Sequence, residues 1–184
     1  MNRRDVLGFL GGAALAPLLA PLSPEQRVAL GAELHRRLAG PIQAGRALSA
    51  ERMALVTALA DTILPRTDTP GAIEVGVPEF VDLLVAEWYP EDQKRDLLAG
   101  LDALDARART ELGKPFAELD PAGGGRAAIV GAVDGKDGPA DSAEGAYKRL
   151  KEAIVFGYLT SKQIGPLINR TPIIPGRFDG CVPV

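Results

Sequence analysis

The chain has 184 residues, of which 46% are hydrophobic, 5% aromatic and 24% charged, a profile of one compact soluble domain that excludes collagen, long disorder and a disulfide-dense miniprotein. Its 21 basic and 24 acidic residues leave a net charge of −3, which offers no basic footprint for nucleic acid or for an anionic lipid surface. One histidine and one cysteine fall short of a zinc cage, a CxxC redox pair or a CxxCH haem attachment.

Residues 1–22 stand apart from the rest. Arg3 and Arg4 precede Asp5, Val6 and Leu7, and from Gly8 to Leu22 the chain carries no charge and is built from Leu, Ala, Gly, Phe and Pro. An apolar run of about 15 residues broken by Gly and Pro is shorter than the roughly 20 residues a bilayer span needs, so it reads as an export signal rather than an anchor. Paired arginines ahead of a weakly hydrophobic run resemble the twin-arginine signal, a route that carries folded cargo. Ala14-Leu15-Ala16 is followed by Pro17 and Ala20 by Pro21. Proline just after a cut site blocks signal peptidase, so the segment is either retained or cut elsewhere.

The remaining body of about 160 residues is large enough for one core without metal or disulfide support. Its apolar residues recur at helical spacing between Pro and Gly punctuation, which predicts an all-α, irregular helical bundle over 23–164. Ser23 and Pro24 open a helix that runs to about Ala39 and stops at Gly40 and Pro41. Ser49 caps a second, with Leu55, Val56, Leu59 and Ile63 on one face and Pro65 as its stop. Pro78 starts a third, in which Phe80, Val81, Leu84, Val85 and Trp88 form a stripe. Pro90 begins the longest, lined by Leu97, Leu98, Leu101, Leu104 and Leu112. Two more helices are predicted from about Gly125 to Val133 and from Ser142 to about Ser161, the last presenting Tyr147, Leu150, Ile154, Val155 and Tyr158.

Two segments depart from this pattern. Residues 65–77 are a turn-rich connection. Residues 165–184 read as an extended tail, because Pro166, Pro172, Pro175 and Pro183 forbid a continuous helix and Gly176 and Gly180 permit turns. A tail that carries Ile173, Ile174, Phe178 and Val182 without periodicity needs a surface to lie on, either its own core or a second protein.

The chemistry-bearing residues are few. His35 lies between Leu34 and Arg36 with no nucleophile nearby in sequence, and reads as a surface or boundary residue. Gly123-Gly124-Gly125-Arg126-Ala127-Ala128 satisfies a GxGxxA pattern, yet Glu118 to Ala122 before it reads as a helix end and turn, not as the strand a dinucleotide site requires. The acidic loop from Asp134 to Glu144, with Asp137 and Asp141, lacks the register of a calcium loop. Asp102 with Asp105, and Glu87 with Glu91, fall on polar helix faces, where solvation is the default. Cys181 is the one thiol of an exported chain. It cannot pair within the chain, and either stays free or bridges to another polypeptide.

The sequence resembles the small subunit (subunit 3) of gluconate 2-dehydrogenase and related flavin-dependent sugar dehydrogenases. The resemblance is carried by Ala60-Asp61-Thr62-Ile63-Leu64-Pro65, by Asp68-Thr69-Pro70-Gly71-Ala72 through Val77 and Phe80, by Gly157-Tyr158-Leu159-Thr160-Ser161, and by Pro175-Gly176 through Gly180-Cys181. The twin-arginine leader is also typical of that family. The resemblance implies a non-catalytic subunit with no catalytic, cofactor-binding or metal-binding residue of its own. Its partner would be a flavoprotein of the glucose-methanol-choline type that binds FAD and oxidises a sugar or polyol. In many such complexes a multihaem cytochrome c, with haem c, is a third subunit. It further implies a location in the periplasm or at the periplasmic face of the inner membrane, reached through the twin-arginine translocase. The large subunit lacks an export signal in that family, so Arg3 and Arg4 would serve both chains. Phe178, Ile173, Ile174 and Arg177 are the expected interface residues, and Cys181 is a candidate inter-subunit disulfide. Trp88 and Tyr158 are further aromatic candidates, although the stripe around Trp88 favours the core. Two other readings stand beside this one: loop residues Arg66, Asp68 and Arg177 contribute to substrate binding or electron transfer, or the chain is a free-standing exported helical domain.

Overall fold

The computed structural model describes residues 22–39 and 47–165. Among them are six α-helices and no strand: α1 (Pro24–Leu38), α2 (Ala50–Ile63), α3 (Val77–Trp88), α4 (Glu91–Leu112), α5 (Gly125–Val133) and α6 (Ala143–Thr160). The all-α reading is therefore right, and each predicted helix is present within a residue or two of its expected bounds.

Local chemistry explains the starts and stops. The Ser23 hydroxyl accepts from the Gln26 N–H at 3.3 Å while the Gln26 side chain accepts from the Ser23 N–H at 2.7 Å, a capping box that opens α1. Ser49 and Ser142 cap α2 and α6 in the same sense, accepting from Arg52 N–H and Gly145 N–H. The long α4 ends at Gly113, whose φ of 74° is the left-handed conformation that glycine adopts without cost. A 3-10 turn follows (Phe116–Glu118) and drops the Phe116 ring fully into the core. The Asp105 carboxylate holds that turn by accepting the Phe116 N–H at 2.8 Å.

The core is organised around α6, which packs against every other helix. Its Tyr147, Leu150 and Ile154 meet Leu59 of α2, Leu84 of α3 and Leu101 and Leu104 of α4 in one apolar cluster. The approach is closest where side chains are missing. A Cβ placed on Gly100 would lie 2.4 Å from the Ala146 Cβ and 2.5 Å from the Ser142 carbonyl oxygen, so α4 and α6 touch almost backbone to backbone. Gly157 gives the same freedom at the other end of α6, where a Cβ would lie 2.6 Å from the Phe80 ring.

One carboxylate is buried among these apolar residues. Asp82 on α3 is 4% exposed, and its Oδ1 accepts the N–H groups of Ala47 at 3.0 Å and Leu48 at 2.9 Å. It thereby fixes the chain just before the Ser49 cap, and satisfies donors that would otherwise be costly to bury.

Three assignments need correction. Trp88 is 44% exposed rather than core: α3 ends at this residue, the backbone turns extended at Tyr89, and Tyr89 takes the inward place at 6% exposure. Leu112 is likewise exposed, because it is the last residue of α4 and projects past the packed part of the helix. Tyr158 is buried, and is core rather than an interface anchor.

Gly100→Val is expected to lower the unfolding free energy by about 3 kcal/mol, since the new side chain has a fixed backbone carbonyl in its way. Gly131→Ala in α5, where an added Cβ meets nothing within 4 Å, is expected to raise it by up to about 1 kcal/mol. Urea denaturation of the two variants beside the parent chain checks both signs.

Candidate functional site

The stretches 60–80 and 157–161 lie far apart in sequence and close on one another at one end of the bundle. Leu64 terminates α2, and its carbonyl accepts the Ala72 N–H at 2.9 Å, so residues 65–71 form a closed loop. The loop is braced by Glu74, whose carboxylate accepts from Gly71 N–H at 2.8 Å and from Arg66 at 2.7 Å. From the core side it is held by Tyr158, whose hydroxyl donates to the Pro70 carbonyl at 2.8 Å and lies 3.3 Å from the Thr69 hydroxyl. The tyrosine ring fills the core while its polar tip reaches a main-chain acceptor, the usual resolution for a buried phenol.

On the neighbouring side of α6, His35 of α1 joins the same end. Its ring stacks on Phe80 with centroids 4.8 Å apart, and its Nε2 lies 3.0 Å from the Gly157 carbonyl oxygen and 3.2 Å from the Thr160 hydroxyl. The Thr160 hydroxyl donates to the Phe156 carbonyl at 2.8 Å. A neutral ring protonated on Nε2 satisfies this geometry. Burial holds the His35 pKa below its ordinary value of 6.5 and the positive Lys162 adds to that, while the Gly157 carbonyl works the other way. With a carbonyl, a hydroxyl and an aromatic face as its partners, the ring pins α1 in place. No carboxylate orients it for proton transfer. The boundary reading of His35 thus stands, with a structural partner set that the sequence does not display.

Of the loop candidates, Arg66 is 78% exposed in its side chain and paired with Glu74, and Asp68, also exposed, accepts from the Thr67 hydroxyl at 2.7 Å. The structure brings these two to one exposed rim. Arg3, Arg4, Ile173, Ile174, Arg177, Phe178 and Cys181 lie outside the described residues.

Many of the other charged residues are paired with one another. Arg52 makes a two-pronged bond to Asp102 at 2.9 and 2.6 Å, Arg109 pairs with Asp105, Lys94 with Glu91, and Arg37 with Glu87. These carboxylates are ion-paired rather than merely solvated, because cations lie within reach on the same or a facing helix. An open hollow of about 350 Å³ between α2 and α4 is lined by Arg52, Glu91, Lys94, Arg95, Leu98 and Asp102, of which Arg52 pairs with Asp102 and Lys94 with Glu91. In the acidic loop, Asp134 and Asp137 go to separate lysines, Lys151 and Lys148. Among the described residues no three His, Cys, Asp or Glu side chains gather as a metal site, and no helix is long and apolar enough to cross a membrane.

The glycine run at 123–125 follows the 3-10 turn and a further turn instead of a strand. Its arginine has another use. The Arg126 guanidinium is largely buried, donates to the Ala117 carbonyl at 3.0 Å and lies 3.5 Å from Asp61 on α2. Sequence reasoning does not find Asp82, Glu74 or Arg126 as structural clasps, since their partners are backbone groups or residues of other elements. The only sequence signal is a carboxylate in an otherwise apolar stripe, Val81-Asp82-Leu83.

Removing the Tyr158 hydroxyl with Tyr158→Phe is expected to cost about 1 kcal/mol of stability, the value of one buried hydrogen bond, without loss of helix content. The His35 shift has a definite sign. A histidine whose folded pKa lies below its unfolded one favours folding while neutral, and that contribution is lost as pH falls through 6.5 towards the lower folded value. The melting temperature of the parent chain should therefore drop more between pH 7 and pH 5 than that of His35→Phe, which keeps the stack on Phe80 and does not titrate. Parallel slopes for the two chains would contradict this.

In comparisons with known proteins, no curated protein and no solved structure matches the chain. The family described as gluconate 2-dehydrogenase subunit 3 matches residues 50–176, from the first residue of α2 through α6 and beyond, and the chain belongs to that family.

Proposed function

We propose that this chain is the non-catalytic small subunit of an FAD-dependent sugar or polyol dehydrogenase of the glucose-methanol-choline type, and that it escorts the flavoprotein through twin-arginine export and stabilises it afterwards. The family match over residues 50–176 carries this reading, because it covers the whole of the helical core except α1. Arg3 and Arg4 ahead of a weakly apolar run supply the export half of it. FAD resides on the large subunit, and a multihaem cytochrome c, where the complex has one, carries the haem. The assembly works in the periplasm or at the periplasmic face of the inner membrane.

The physical division of labour is simple. A twin-arginine passenger crosses folded, so the escort must fold and dock beforehand. A helical bundle rich in local contacts is suited to fast folding. The residues held against the flavoprotein are those of the tail, with Phe178, Ile173 and Ile174 as apolar anchors and Arg177 as the polar one. Cys181 adds a covalent link if a thiol of the large subunit lies opposite.

Co-expression of the flavoprotein with this chain and with its Arg3→Lys plus Arg4→Lys variant tests the export half. Dehydrogenase activity should appear in the periplasmic fraction with the parent chain and fall at least about tenfold with the variant, the protein remaining in the cytoplasm. Equal periplasmic activity in both would sink the escort role. Non-reducing electrophoresis of the purified assembly tests the bridge: a band at the summed mass that collapses on adding thiol is expected, and migration of this chain at its own mass removes it.

A further inference from the structure

The helix α1 differs from the rest of the bundle. It lies before the stretch that carries the family match, which begins at Ala50. It packs chiefly on α3 and α6. Only Leu30, Gly31 and Leu34 of its 15 residues are buried, against 11 of 18 in α6, and Val28 on the same helix is 62% exposed. Among the described residues its polar links to the core include His35 to the Gly157 carbonyl and Thr160, and the exposed pair of Arg37 with Glu87.

At the same time α1 holds the determinants of its own helicity. The Ser23 and Gln26 capping box, Pro24 in the first turn, Glu33 paired with both Arg36 and Arg37, and basic residues in the last turn all act within the helix. A helix with local caps and a narrow buried face has the makings of a unit that opens separately from the global fold.

We propose that α1 is a detachable strap, which docks across the α3 and α6 seam through Leu30, Gly31, Leu34 and His35 and releases as a unit while α2 to α6 stay folded. The consequence, which rests on the export reading above, is that the strap sets the reach of the leader. Leu22, which directly precedes the Ser23 cap of α1, packs on the core, and its carbonyl accepts from Arg27 at 2.9 Å. With α1 released, the covalent path from Leu22 to the folded α2 to α6 body grows by residues 23–46, so the translocase can take the leader while the folded cargo stands farther off.

Gly31 is the point at which to test this. A Cβ there would lie 2.6 Å from the Thr160 Cγ2 and 2.7 Å from its Cβ. Amide hydrogen exchange on the full chain should show α1 protected, but on the order of tenfold less than α4 and α6. Gly31→Val should abolish the protection of α1 and leave that of α2 to α6 within twofold of the parent. Gly31→Ala combined with Thr160→Gly clears the collision at the cost of the His35–Thr160 contact, leaving the Gly157 carbonyl as the His35 partner, and should restore protection of α1 well above that of Gly31→Val. The strap is overturned if α1 exchanges at the rate of α4 and α6, if α1 has no protection in the parent chain, or if Gly31→Val strips protection from the whole bundle. None of these readouts involves export, so a failed strap and a failed escort role are told apart.

Discussion

The bundle depends on how closely α6 can be approached. At Gly100 the α4 backbone comes within contact of Ala146 and the Ser142 carbonyl, and at Gly157 the Phe80 ring lies flush with the α6 backbone. These two contacts, at opposite ends of one helix, set the depth at which α3 and α4 pack. Interdigitation of Leu84, Leu101, Leu104, Tyr147 and Leu150 follows from that depth, since side chains of this size fill the interior only if the axes are close. Larger residues at either point would part the helices and open voids along the whole seam.

The polar clasps follow the same logic of few but committed contacts. Asp82 accepts two main-chain N–H groups ahead of α2, Glu74 ties the 65–71 loop, and Tyr158 joins that loop to α6. Each clasp binds main chain, which fixes where a connection runs without specifying a substrate. A subunit of a larger complex is served by this kind of order, in which loops and end faces keep fixed positions. The exposed rim that holds Arg66 and Asp68 is anchored from below by the tyrosine.

Most of the architecture is legible in the sequence because helical periodicity and capping are local. Ser23, Ser49 and Ser142 announce their helices, Pro65 marks a stop, and the leucine stripe of α4 declares its buried face. Periodicity fails at helix ends. Trp88 and Leu112 obey the stripe but lie where the neighbouring helices no longer cover it, and Tyr89, outside the pattern, takes the inward place. The candidate site is less legible still. Nothing in the residue order says that Tyr158 will meet Pro70 or His35 will meet Gly157, contacts spanning 88 and 122 positions. The resemblance marks both stretches, yet only the fold shows that they are two halves of one corner.

The exposure of Trp88 gives the molecule an optical property. It is the single tryptophan of the chain, 44% open to solvent at the end of α3 beside the Arg37 and Glu87 pair. An indole in that position emits with the red-shifted spectrum of a wet ring, and only an event at this corner can dry it. The near-ultraviolet fluorescence of the chain is therefore a local signal rather than an average over the bundle, reporting whether that edge of α3 is covered.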